Sequence, residues 1–159
     1  MSETAPRRIW LCADDYGLSD GVNRAIRDLI ERGRLNATSV MMVTPAIGRE
    51  AAAALQASVA KSPRCAIGLH VTLTAPFRPL TMHFRPLDGD MFLPFPRLLR
   101  AGLMHRLDAE LVHAEVLAQL LVVLLFVVRA RRFGVILLGA LLVGYVRLNV
   151  IGRPNANRP

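Results

Sequence analysis

Residues 9–17, I-W-L-C-A-D-D-Y-G, constrain the fold more than any other stretch of this chain. A short apolar run stops on two adjacent carboxylates, Asp14 and Asp15, and a glycine and two helix-starting residues, Ser19 and Asp20, follow. A brief apolar run closed by a turn reads as a buried strand. This one carries two acids at its C-terminal end, where the functional groups of α/β proteins gather. One acid capping the next helix while the other is solvated is the weaker account, because Ser19 and Asp20 already supply caps.

The rest of the first half repeats the alternation. Residues 8–13 are the first predicted strand, and a helix starts at Ser19 or Asp20. Val22, Ala25, Ile26, Leu29 and Ile30 form one apolar stripe at helical spacing, and Gly33 marks its stop. Residues 37–43 read as a second strand, broken by Pro45, and the alanine-rich residues 47–60 as a helix ending before Ser62 and Pro63. Residues 65–73 are a third strand, with Ile67, Leu69, Val71 and Leu73 on one side and His70 and Thr72 on the other. The order β-α-β-α-β with short connections predicts parallel strands in an α/β fold. Residues 75–97 differ: they hold Pro76, Pro79, Pro86, Pro94 and Pro96 and an Asp88-Gly89 turn. A loop of this length in a compact domain is usually a lid or binding loop. The tetrapeptide F-R-P-L occurs at 77–80 and 84–87, too little to establish a repeat. Residues 98–106 and 108–120 are two more predicted helices, the second capped by Asp108.

Composition narrows the function. The net charge of +8 over 159 residues is unevenly placed. Residues 1–118 carry thirteen Arg, one Lys and twelve acids, a net of +2, whereas residues 119–159 carry six Arg and no acid, a net of +6. The arginines are scattered, without a basic helix face or interleaved aromatics, so nucleic acid is not an expected partner. Cys12 and Cys65 lie in separate apolar runs and read as buried free thiols in a reducing compartment. No apolar segment follows the polar N-terminus, so the expected location is cytoplasmic. From Leu120 the composition changes: residues 120–128 are all apolar, and residues 133–146 have no charged side chain. Neither run alone reaches the ~20 residues a spanning helix needs, and joining them buries Arg129, Arg131 and Arg132 mid-segment. Membrane association through residues 120–151 is the alternative localisation, and residues 152–159 read as a disordered tail.

Asp14, Asp15 and His70 come from the ends of two predicted strands of one sheet or barrel. Two carboxylates and an imidazole suit a divalent metal plus a general base, with one Asp and His70 ligating and the other Asp taking a proton from water. Taken alone, His70 is more often a hydrogen-bonded strand histidine. Its place on the polar side of G-L-H-V-T-L-T favours the ligand reading.

Three ordered motifs, A-D-D-Y-G-L-S-D-G-V-N-R-A-I, then G-R-L-N-A-T-S-V-M, then I-G-L-H-V-T-L-T, resemble the YdjC-like (ChbG/HpnK) carbohydrate deacetylase family over about residues 7–119. The proline-rich loop looks closer to the hopanoid-associated type. The resemblance implies a TIM-barrel-like α/β fold and hydrolysis of an N-acetyl group from an amino sugar or glycolipid. It implies a divalent metal, magnesium or zinc, with Asp14 as catalytic base and Asp15 and His70 as metal ligands. Residues 1–119 then correspond to the N-terminal part of the barrel, an incomplete TIM-barrel-like fold followed by an atypical apolar tail. The family's D-G-H-Q-H-type strand, which supplies a further histidine ligand, has no counterpart after Leu120, and no histidine follows His113. His83 lies in the proline-rich loop, and His105 and His113 on predicted helices, where a surface role is expected. From Gln119 on the chain has no Asp, Glu or Lys, the bias of a G+C-rich coding region read out of frame. A frameshift near codon 120 is therefore expected ahead of a genuine membrane tail, with impaired activity in the chain as written.

Overall fold

Alternating strands and helices with short connections must pair their strands in parallel. The computed structural model, which describes residues 9–128, shows that pairing. Three strands, β1 (Cys12–Tyr16), β2 (Ala37–Val40) and β3 (Ala66–Leu69), form a parallel sheet in the order β1-β2-β3. Helices α1 (Asp20–Glu31) and α2 (Arg49–Lys61) make the two crossovers. Residues that pair across the sheet share a face. Thr38 and Val40 are buried, as are Ile26 and Ile30 of α1 and Leu55 of α2, so the core lies on the helix side. On the other face Cys12, Asp14, Ala66 and Gly68 are exposed and Ala37 and Ser39 half-buried. The result is an α/β layer covered on one side.

Local signals explain the helix ends. Ser19 has extended backbone, and its Oγ accepts a hydrogen bond from the amide of Val22 at 3.3 Å. Gly33 takes the left-handed conformation, φ +65°, after α1. The amides of Gly33 and Arg34 then donate back to Ile30 and Leu29, closing a Schellman motif.

Several expectations shift. The first strand starts at Cys12, so both acids lie inside it. Ile9, Trp10 and Leu11 are exposed at 73 %, 72 % and 53 % instead of buried. The reason is topological: β1 is an edge strand with β2 as its one partner among the described residues, and its non-helix face is uncovered. The same openness leaves Cys12 exposed and Cys65 half-buried; both are free, but neither is the buried thiol expected. The second strand ends at Val40, three residues early. The third ends at Leu69, beyond which the alternation reverses: Val71 is exposed and Thr72 buried. A period of two has meaning only while the backbone stays in the sheet.

Among the described residues, those from Leu73 on form a second compact unit, distinct from those up to Thr72. Its long loop is more ordered than its proline content suggests. The strands β4 (Leu87–Asp88) and β5 (Met91–Phe92) pair as a hairpin through Gly89 at φ +66°, and Phe84 meets Phe92 edge-on at 5.0 Å. Helix α3 (Phe95–Leu103) starts earlier than expected, with Pro96 tolerated in its first turn. Helix α4 (Ala109–Val128) is capped by Asp108, whose Oδ1 accepts from the amides of Glu110 and Leu111. It continues eight residues past the expected end, through the whole apolar run.

By length and composition, residues Ala109–Phe126 of α4 are apolar enough to cross a membrane. The helix also carries a fully buried carboxylate, Glu115. That carboxylate accepts from the amides of Leu80 (3.0 Å) and Thr81 (2.8 Å), the hydroxyl of Thr81 (2.7 Å) and the side chain of Gln119 (2.9 Å). Burying a carboxylate is tolerated because every bond it loses to water is replaced. The proline-rich loop is thereby tied to α4. The apolar residues 133–146 and the tail from Arg153 lie outside the described residues.

Candidate active site

Adjacent residues of a regular strand point to opposite faces, so two neighbouring acids should not reach one site. A bulge in β1 changes this. Ala13 pairs with Thr38 and Tyr16 with Val40, so β1 holds one more residue than β2 across this interval. Asp15 absorbs the extra residue with left-handed backbone, φ 68°. Non-glycine residues adopt that conformation at a cost, and Asp is among the more tolerant.

The bulge turns both carboxylates toward the ends of β2 and β3. Asp14 Oδ1 accepts from Ser39 Oγ at 2.6 Å, and Asp15 Oδ1 lies 3.0 Å from His70 Nδ1. Ser39 Oγ is also 3.4 Å from His70 Nδ1. Asp14, Ser39, His70 and Asp15 therefore form a continuous chain of contacts. His70 is aligned by its own amide, which donates to Val40 at 2.9 Å, immediately beyond β3.

The turn behind β1 is fixed from three sides. Gly17 has φ +108°, and a Cβ there would lie 2.8 Å from the Met41 carbonyl oxygen. Its amide donates to Asn23 Oδ1 at 2.6 Å, and its carbonyl accepts from Thr44 Oγ1 at 2.6 Å. Asn23, itself buried, donates onward to Ala46 at 3.1 Å. Tyr16, with no exposed surface, donates to the Ala51 carbonyl and accepts from Arg27. Each restrains the backbone that presents the acids.

Electrostatics separate the groups. The Ser39 hydroxyl, and after it the Cys12 thiol, hold the Asp14 carboxyl below its ordinary value, with a smaller contribution from His70. Asp14 is therefore a carboxylate at neutral pH and can accept a proton. Cys12 moves the other way: although it is largely exposed, partial desolvation and its hydrogen bond to Asp14 raise its pKa, which keeps it a thiol and a poor ligand or nucleophile.

A carboxylate and an imidazole converging at 3.0 Å match a divalent cation in donor type. They fall short in number. Among the described residues no group of three or more His, Cys, Asp or Glu is placed to hold a metal. Residues 129–159 contain none of these four types. His83, His105 and His113 are all exposed. The structure thus brings together Asp14, Asp15 and His70, and adds Ser39, which the sequence reading missed. Its signal was present: if Thr38 and Val40 face the helices, Ser39 must share the face of the acids.

The sequence profile described as YdjC-like protein matches residues 8–124. The chain belongs to the YdjC-like family. The matched region contains all four site residues and ends inside α4, within the apolar run. A solved structure from Enterococcus faecalis V583, provisionally named a cellobiose-phosphate cleavage protein, superposes with a TM-score of 0.57 at 22 % identity. The superposition covers 77 % of this chain but 44 % of that one, so the YdjC-like chain spans less than half of that relative's length. At this identity the likeness establishes the fold alone. No curated protein matches the chain.

Proposed function

We propose that this YdjC-like chain is by descent a divalent-metal-dependent carbohydrate deacetylase, built on the opening β-α-β-α-β portion of a TIM-barrel-like fold. Its substrate would be an N-acetylated amino sugar or glycolipid. The observation that carries the reading is the bulge at Asp14 and Asp15, which spends backbone strain to set Asp15 against the His70 imidazole and Asp14 against Ser39, the hydroxyl beside that same ring. Strain of this kind is retained where surrounding structure enforces it, typically at functional sites. The name of the solved relative, which refers to a disaccharide phosphate, agrees with a carbohydrate substrate.

Asp15 and His70 are the residues that would hold the ion. When bound, such an ion polarises the acetamide carbonyl and acidifies water. Asp14 is the proton acceptor. Both of its hydrogen bonds, from Ser39 and Cys12, fall on Oδ1, leaving Oδ2 to take the proton. A base with a depressed pKa is weak toward ordinary water, so it suits a substrate water that is already acidic. With two ligands in place of the three protein ligands of catalytic zinc sites, weak metal binding and slow turnover are expected of this chain.

The test is calorimetry with Zn²⁺ and Mg²⁺ on the wild type, Asp15→Ala and His70→Ala, with acetate release from an N-acetyl chito-oligosaccharide followed in parallel. Each substitution should weaken metal binding at least about tenfold, in line with loss of a direct ligand. Stoichiometric binding retained in both variants would overturn the assignment. The apolar helix α4 favours a second reading, a membrane-anchored, non-catalytic relative. Carbonate-resistant membrane association without any metal binding would support that reading instead.

A further inference from the structure

Helix α3 has no buried residue. Phe95, Leu99 and Leu103, spaced at one turn, are exposed at 64 %, 50 % and 74 %, and Met104 follows at 45 %. Side chains four apart lie on one face, so Phe95, Leu99 and Leu103 form a single outward apolar stripe, with Met104 just past the helix end. Leu98 and Ala101, both half-buried, mark the side on which the helix rests. Arg97 and Arg100 lie on the remaining arc, and Arg106 follows the helix. No acid occurs from residue 91 to 107. Of these three arginines, Arg97 pairs with Asp88 at 2.8 Å, and Arg100 and Arg106 make no ion pair with the described residues.

An apolar stripe beside arginines on a short, strongly amphipathic helix is the pattern of a segment that lies in a membrane interface. We propose that α3 docks this chain on an anionic lipid surface, with Phe95, Leu99 and Leu103 entering the headgroup boundary and Arg100 and Arg106 meeting lipid phosphates or carboxylates. Charge decides between occupants. In a symmetric contact between two copies each patch faces itself, and the arginines of one helix would meet those of the other with no acid on either to pair them. Anionic lipid satisfies both the stripe and the charge. The inference uses no residue of the candidate active site and does not depend on its chemistry.

The full chain is floated with vesicles of phosphatidylcholine alone and of phosphatidylcholine mixed with phosphatidylserine. Binding should favour the mixed vesicles about tenfold and weaken as salt is raised. The double variant Leu99→Glu/Leu103→Glu should lose at least tenfold in partitioning. Arg100→Gln/Arg106→Gln should lose about fivefold per arginine, the weight of one basic residue near such a surface. All four positions are solvent-facing or at the helix end, and circular dichroism should be unchanged in both variants. Four results overturn the proposal: variants that bind like the wild type, which would assign binding to another apolar segment; equal binding to both vesicle types; no binding to either; or a sedimenting dimer abolished by the stripe variant without vesicle binding.

Discussion

Asp15 is where sequence, strain and chemistry meet. Its φ of 68° has a steric cost that glycine would not bear. Asp15→Gly should therefore leave the thermal midpoint unchanged or raise it, by up to about 1 kcal/mol in stability, while removing the metal response. Asp15→Val, β-branched and intolerant of positive φ, should lose about 1–2 kcal/mol. Paired melts with and without Zn²⁺ check both outcomes. If Asp15→Gly proved strongly destabilising, the carboxylate would be holding the fold, not a ligand. Ser39 makes a second residue-scale claim. Its 2.6 Å bond orients Asp14, so Ser39→Ala should lower kcat for acetate release about tenfold with KM little changed, since misaligned catalytic groups are costly. Ser39→Thr, which keeps the hydroxyl, should restore most of it. The identities of Asp14, Asp15 and His70 were legible because acids that close an apolar run are conspicuous. Their convergence was not: a regular strand forbids it, and nothing in A-D-D-Y-G announces an inserted residue. Ser39 was hidden because a serine in a strand is commonplace until its two neighbours are known to face the core.

The elements hold the site through a few contacts whose loss can be weighed. Gly17 has both a positive φ and no room for a methyl group, with the Met41 carbonyl 2.8 Å and Thr44 Oγ1 3.0 Å from the ideal Cβ. Gly17→Ala should cost about 2–3 kcal/mol, read as a lower urea midpoint, because both strain and a clash with backbone must be relieved. Helices α1 and α2 are tied by Glu31, whose Oε1 accepts from Ser58 at 2.8 Å and Lys61 at 3.2 Å. Those bonds hold the Glu31 carboxyl below its ordinary value, Ser58 contributing most. A depressed carboxyl stabilises the fold above its unfolded pKa and loses that contribution as pH falls through the folded one. Ser58→Ala should accordingly lower the urea midpoint most at neutral pH, and the gap should narrow on acidification below the normal glutamate range. A gap that stayed constant with pH would assign the effect to packing of Ser58, which is itself buried. The helices were legible from their stripes and caps, and the strand ends were not. Met41 and His70 extend apolar or alternating patterns past Val40 and Leu69, although the chain has already left the sheet there.

Across the whole chain, the α/β order was readable because parallel pairing follows from alternation and short connections alone. An incomplete barrel implies an open sheet edge and an uncovered apolar face, but the sequence does not say which strand carries them. The cysteines and the run at 9–11 read as buried because a short apolar run closed by a turn is ordinarily a covered strand. Among the described residues β1 has one neighbour and one covered face. Ile9 and Trp10 instead line an open cavity of about 790 Å³ together with Asn36, Pro63, Arg64, Cys65 and Ala66. Unpaired edges with exposed apolar side chains template association with other chains. This chain adds the exposed Leu120, Val122, Leu124 and Leu125 of α4 and a +6 segment that repels at low salt and is screened at high salt. The purified protein should therefore aggregate faster as salt rises, by edge pairing at β1. Leu11→Lys, which places a charge on that edge, should slow the growth of light scattering several-fold without changing the circular dichroism of the monomer. Trp10 gives an independent readout as the single tryptophan of the chain. It is 72 % exposed, so its emission should begin red and shift blue as edges pair. Association that proceeds at the same rate in Leu11→Lys, with Trp10 emission unmoved, would place the sticky surface on α4 and leave β1 as a solvated edge.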